Sequence, residues 1–167
     1  MELYILRHGI AEDGLPGTPD SARQLTDEGS KKTAKVVKMA GSAGMAPSLI
    51  LSSPYDRAMQ TARIAAGQLG YKGEILQTKA LVPHGSPQGV WSEIRDHATE
   101  NSILLAGHEP LLSQLVAWLL GSPALQVEMK KSALVRIDVE GMRAAPQGIL
   151  RWMVTPGLAG KTTGKSE

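Results

Sequence analysis

The chain contains no cysteine. Disulfides are therefore excluded, as are a thiolate nucleophile and any zinc site built on thiolates. Phenylalanine is absent as well, which excludes no chemistry. Charge of one sign is scarce. The 18 Lys and Arg against 16 Asp and Glu leave a net charge of +2, too little to draw the protein to nucleic acid or to a membrane. Long apolar runs are missing too. The most apolar stretch, Leu111 to Leu120, is interrupted by Ser113 and Gln114 and is too short to span a bilayer. The first residues, Met1 to His8, lack a basic start followed by a long apolar segment and do not read as a signal peptide. We therefore expect a soluble cytoplasmic protein with no nucleic-acid and no membrane partner. There is no Walker-type glycine loop. The 4 histidines and their neighbours lack the spacing of a dinuclear metal site.

Of the 167 residues, 42% are hydrophobic and 20% charged, which suits one compact domain with a sizeable core. Leu3 to Leu6 is a short apolar run that reads as a buried first strand ending at Arg7. Ile10 to Arg23 carries Gly14, Pro16, Gly17 and Pro19 and reads as a loop. Thr26 can cap a helix to about Ala43, with Ala34, Val37 and Ala40 inward and Lys31, Lys35 and Lys38 on a solvated face. Leu49 to Leu51 is a second strand. Ser53-Pro54 then reads as an N-cap with proline at the first helical position, opening a helix to about Leu69. Gly73 to Gln77 is a weaker strand. A helix to about Ala98 follows the Leu81 to Pro87 loop, and Ser102 to Ala106 is a strongly apolar strand. Gly107-His108-Glu109-Pro110 breaks that strand, and Pro110 opens a helix whose Leu111, Leu112, Leu115, Val116 and Leu119 form one stripe. Trp118 in that helix reads as core. Ala133 to Val139 and Ile149 to Val154 are joined by too short a connection for a crossover helix, so they pair antiparallel.

This order predicts a three-layer α/β/α sandwich around a mostly parallel mixed sheet of about six strands. Residues 1–157 form a single domain, and residues 158–167 are expected as a frayed tail. In such sheets ligands bind beyond the carboxyl ends of the strands. Arg7 and His8 follow the first strand, Arg57 lies in the first turn after the second, and His108 follows the fourth. Segments far apart in the chain thus deliver two arginines and two histidines to one edge.

That set makes an anion site. Guanidinium forks match phosphate oxygens, and the helix starts at Ser53-Pro54 and Glu109-Pro110 add attraction for negative charge. Arg57 in a first turn opposes its helix dipole, which hints at an anion between them. A neutral imidazole is a competent nucleophile near pH 7. The cationic surroundings of His8 disfavour its protonation. Gly9 permits close backbone approach or a positive φ behind it.

Leu6-Arg7-His8-Gly9 matches the Arg-His-Gly signature of the histidine phosphatase superfamily. The run from Ser52 to Ala62 and Gly107-His108-Glu109-Pro110 resemble its second and third motifs. The likeness narrows to the small bacterial phosphohistidine phosphatases of the SixA type through Arg23-Gln24-Leu25-Thr26, Leu81-Val82-Pro83-His84-Gly85, Lys131-Ser132-Ala133 and Trp152-Met153-Val154-Thr155-Pro156. It runs from Met1 to about Gly157. The resemblance implies a phosphoglycerate mutase-like fold, with His8 as phosphorylated nucleophile and Arg7 and Arg57 binding phosphoryl oxygens. His108 donates to the phosphate, and no metal or other cofactor takes part. The implied partner is a phosphohistidine-bearing protein such as a phosphotransfer domain, with a small phosphorylated substrate as the alternative.

Arg23, His84 and Glu109 are weaker candidates for substrate binding. Arg23 grips phosphate or pairs with Asp27. His84 lies at a pocket lip or is an exposed loop residue. Glu109 stands where some relatives place a proton donor. Only about fifty residues separate Arg57 from His108, so a large helical insert is absent. Two other functions remain open at this point: a phosphomonoesterase or mutase on a small molecule, and a phosphate-binding module without turnover.

Overall fold

A computed structural model describes residues 1–161 of the protein. Strands β1 (Glu2–Arg7), β2 (Leu49–Ser52) and β4 (Ser102–Gly107) are apolar runs with no polar alternation. Such runs suit strands covered on both faces. Side chains alternate across the sheet. Leu3 and Ile5 of β1 join Leu51, Ile103 and Leu105 on one face, and Tyr4 and Leu6 join Ile50, Leu104 and Ala106 on the other. β4 lies between β1 and β2 and is parallel to both. The short β3 (Ile75–Gln77) adds parallel to β2. β5 (Leu134–Val139) and β6 (Gly148–Val154) pair antiparallel, and β5 runs antiparallel to β1. The sheet has six strands in the order β3-β2-β4-β1-β5-β6.

Helices α1 (Asp27–Ser42), α2 (Asp56–Leu69) and α5 (Pro156–Lys161) cover the Tyr4 face with Val36, Val37, Ala40, Ala62, Ala65 and Ala159. Helices α3 (Pro87–Asp96) and α4 (Leu111–Leu119) cover the opposite face with Val90, Trp91, Ile94, Leu112 and Leu115. Trp118 is half-buried there, its ring 6.2 Å from that of Trp91. The expected α/β/α sandwich is thus the observed one. No helix among the described residues is long and apolar enough to cross a membrane.

Thr26 caps α1 as expected, its Oγ1 accepting from the Gly29 N–H at 3.0 Å. Two expectations are corrected. Ser53 does not cap α2, which starts at Asp56 after Tyr55. The Ser53 hydroxyl instead accepts from the Tyr55 N–H at 3.3 Å, ahead of the helix, and lies 2.8 Å from a ring nitrogen of His108. The segment after Pro156 is not frayed throughout. Pro156–Lys161 is helical because Ala159 is buried in the α1 face of the core. The rest of the expected tail, residues 162–167, lies outside the described residues.

α1 starts pressed against the first loop. A Cβ at Gly29 would stand 2.2 Å from the Ile10 carbonyl oxygen and 2.7 Å from its nitrogen. Gly9 is also crowded, its Cβ position lying 2.8 Å from Thr33 Oγ1 and 3.0 Å from the Gly29 oxygen. Close approach, not a positive φ, therefore explains the glycine behind His8. Replacing a helical glycine by alanine ordinarily stabilises by about 1 kcal/mol. Here backbone atoms would have to move, and overpacking costs about 1–3 kcal/mol. Gly29→Ala is therefore expected to lower the urea midpoint, and an unchanged or raised midpoint would show that the first loop yields freely.

Candidate active site

The register of β1 and β4 builds the site. Arg7 pairs with Gly107 across the parallel ladder, and the His8 N–H donates to the Gly107 carbonyl at 3.0 Å. His8 and His108, each one residue past its strand, are thereby held side by side with ring centroids 5.0 Å apart. β2 ends alongside, where the Ser53 N–H donates to the Ala106 carbonyl at 2.9 Å. Arg57, the second residue of α2, then reaches back to His8. Arg7, His8, Arg57 and His108 are thus brought together as expected. His8, Arg57 and His108 are buried.

Hydrogen bonds settle the proton on His8. Its Nδ1 lies 2.7 Å from the Gly9 carbonyl oxygen. A carbonyl only accepts, so Nδ1 carries the proton and Nε2 keeps a lone pair. The Arg57 Nε–H donates to that Nε2 at 3.3 Å. The backbone around His8 is fixed on both sides. The Gly9 N–H donates to Thr61 Oγ1 at 3.1 Å, and the Ser132 N–H donates to the His8 carbonyl at 3.1 Å. Ser132 adopts a left-handed φ of 63° to do so.

Burial, more than the surrounding cations, keeps the ring neutral. It pushes His8 down to about 4 against the opposing Gly9 carbonyl, with Arg57, Arg7 and Lys131 adding to the fall. Burial likewise pushes His108 down to about 3, helped by His8 and Arg57. Burial also works against the Arg7 guanidinium, and nearby Glu109 favours it. Arg7 donates to the Met129 carbonyl at 2.6 Å.

Asp20, on a 3₁₀ turn (Asp20–Ala22), was missed by sequence reasoning. Its Oδ2 accepts from Arg57 Nη2 at 2.9 Å, and its carbonyl accepts from Nη1 at 2.7 Å. The anion hinted at by Arg57 opposing its helix dipole is, in this structure, the Asp20 carboxylate. The only sequence signal was that unfavourable first-turn arginine. Hydrogen bonding from Arg23 and Arg57 holds the Asp20 carboxyl below its usual range, against partial burial. Gln24 steadies this loop by donating to Asp56 Oδ2 at 2.5 Å and pairing with Gln60.

The weaker candidates fare differently. Arg23 pairs with Asp20 at 3.0 Å, not with Asp27, because the turn brings Asp20 within reach. It adjoins the site only through Asp20. His84 is exposed and makes no hydrogen bond or ion pair with the four residues. Glu109 Oε1 accepts from the Ser113 N–H at 2.9 Å, so its carboxylate takes a free donor at the start of α4. Arg7 also lines two clefts, of about 550 and 490 Å³, which share Glu128 and Met129. Lys32, Lys130 and Lys131 line the larger one.

Both site histidines are neutral in the folded protein well below the usual imidazole value of about 6.5. The unfolded chain takes up these protons between about pH 6.5 and pH 4, while the folded chain does not. Stability contributed by this pair therefore falls as pH drops through that window. Ring resonances of His8 and His108 should not titrate between pH 7 and pH 5; titration of either near pH 6.5 would contradict the burial described above.

The model of the histidine phosphatase superfamily (branch 1) matches residues 3–82. A phosphohistidine phosphatase SixA homolog of Haemophilus influenzae is 32% identical over 130 residues, covering 72% of this chain and 78% of that protein. An uncharacterized protein of Picosynechococcus sp. is 35% identical over 139 residues, covering 81% of this chain and 83% of that one. The solved structure of the protein histidine phosphatase SixA complexed with tungstate superposes with a TM-score of 0.83 at 25% identity, covering 94% of this chain and 98% of that one. Motifs, fold and relatives agree, and the chain belongs to the SixA-like group of the histidine phosphatase superfamily.

Proposed function

We propose that the protein removes phosphoryl groups from phosphohistidine on a protein, through a covalent intermediate on His8 Nε2. One observation carries the reading. Among the described residues, the buried side-chain polar atoms without a hydrogen-bond partner are Arg7 Nε and His108 Nδ1. Both belong to residues beside His8. Unpaired buried donors are costly, and a phosphoryl oxygen is an acceptor that would relieve that cost.

In this reading His8 Nε2 attacks phosphorus, the Nε2–P bond forms and the P–N bond to the leaving imidazole breaks. Water then attacks phosphorus, the Nε2–P bond breaks and inorganic phosphate leaves. Arg7, Arg57 and His108 donate to the equatorial oxygens, where charge develops. Phosphoryl oxygens would compete with Asp20 for the Arg57 fork.

The acids near the site favour a nitrogen leaving group. Asp20 is held ionised by two arginines, and Glu109 is bonded to the Ser113 N–H. Neither is arranged as a proton donor to an alkoxide. A departing imidazole needs little more than ring protonation. The named Haemophilus relative supports the same substrate class. The proposal includes metal independence and a cytoplasmic location.

The test is phosphate release in the presence of chelator, from a phosphohistidine-bearing protein and from an aryl phosphate. Faster release from phosphohistidine is expected, with loss of a detectable rate in His8→Ala. Release from esters alone would keep the mechanism and change the substrate, while no release from either would leave a binding module. Glu109→Gln should keep most phosphohistidine activity. A loss as deep as that of His8→Ala would make Glu109 part of the chemistry.

A further inference from the structure

Ser53 is fully buried and lies where it can choose the proton position on His108. Its Oγ stands 2.8 Å from His108 Nε2 and accepts from the Tyr55 N–H at 3.3 Å. A serine hydroxyl has one proton and two lone pairs. Two arrangements are conceivable. If His108 Nε2 carried the proton, Nε2–H would donate to Oγ. The serine proton would then have no acceptor among the described residues, and Nδ1 would be a buried lone pair without a donor. If the serine proton instead points to Nε2, every polar group of Ser53 is satisfied. Within the pair, the unmatched group is then a proton on His108 Nδ1.

The second arrangement leaves fewer buried groups unpaired, and such groups are expensive in a low-dielectric interior. Other contacts do not oppose it. The Tyr55 ring, 5.0 Å from His108, offers edge contact, and burial, with Arg57, disfavours an imidazolium against the weaker pull of Asp20. His108 is thus a neutral ring with one proton to place.

We infer that Ser53 is a positioning residue that holds His108 as its Nδ1–H tautomer and so presents that N–H to the phosphoryl group. The tautomer stands on the hydrogen bonds alone; its use on a phosphoryl oxygen rests on the phosphatase reading above. The arrangement mirrors that of His8. There a carbonyl fixes the proton on Nδ1 and frees Nε2 as a lone pair. Here a hydroxyl occupies Nε2 and frees Nδ1–H as a donor. Two neighbouring neutral imidazoles are thereby given opposite tasks, one to attack phosphorus and one to donate to its oxygen.

The first measurement is the ¹⁵N spectrum of the histidine rings in the unmodified protein at pH 7, assigned with His108→Gln. His108 is expected to show a protonated Nδ1 and a bare Nε2. A protonated Nε2 would overturn the proposal outright, whatever any variant does. Ser53→Ala is then expected to lose that preference and to lower kcat on an aryl phosphate by at least about tenfold, with a smaller change in KM. Ser53→Thr, which keeps the hydroxyl, should restore the Nδ1–H signal and part of the rate. An unchanged tautomer in Ser53→Ala, or a changed tautomer with an unchanged kcat, would each overturn the assigned role. A failure of the phosphatase reading is separate: the unmodified protein would then release no phosphate, while the spectrum still decides the tautomer.

Discussion

The in-register parallel pairing of β1 with β4 is the constraint from which the site follows. Apart from Arg7 at the end of β1, neither strand carries chemistry within it. Each is an apolar run, buried on both faces, that places a histidine one residue beyond its carboxyl end. Because Arg7 lies opposite Gly107, those histidines emerge at the same level. A slip of one residue would turn each β1 side chain to the opposite face, exchanging the Leu3 and Ile5 set for the Tyr4 and Leu6 set. Two separate cores, one under α1, α2 and α5 and one under α3 and α4, hold the register against such a slip.

Once the edge is built, burial governs its chemistry. Four nitrogen-rich side chains gathered in water would simply repel one another. At this edge the histidines surrender their charge, while the arginines keep theirs by finding carbonyls and a carboxylate. The result is a cationic wall around neutral imidazoles. In the proposed reaction such a wall would hold a phosphoryl group without protonating His8. Asp20 completes the balance by accepting from both terminal nitrogens of the Arg57 guanidinium.

The family resemblance and the fold agree closely, yet they decide different things. The superfamily assignment rests on the motifs and on relatives that span most of the chain. The fine assignment of roles rests on individual atoms: which ring nitrogen is bonded to a carbonyl, which to a hydroxyl, and which has no partner.

By itself the sequence determined the six strands, the first four helices, their order and the four residues at the sheet edge. Short apolar runs ending in Arg-His, Ser-Ser-Pro and Gly-His are local signals, and strand-end placement converts them into a shared edge without knowledge of any distance. Tertiary structure alone decided the rest. Asp20 lies in a polar loop with no periodicity, and only folding brings it against Arg57, while Arg23, three residues on, pairs with it in place of the expected Asp27. Ser53 carries the local pattern of a helix cap, yet α2 begins three residues later and the serine hydroxyl meets the buried ring of His108. Pro156–Lys161 has a weak sequence signal and becomes helical because it finds an apolar surface on α1. The contacts of Asp20 with Arg57, of Ser53 with His108 and of Ala159 with the α1 face join residues distant in the chain, and such contacts leave no trace in sequence spacing.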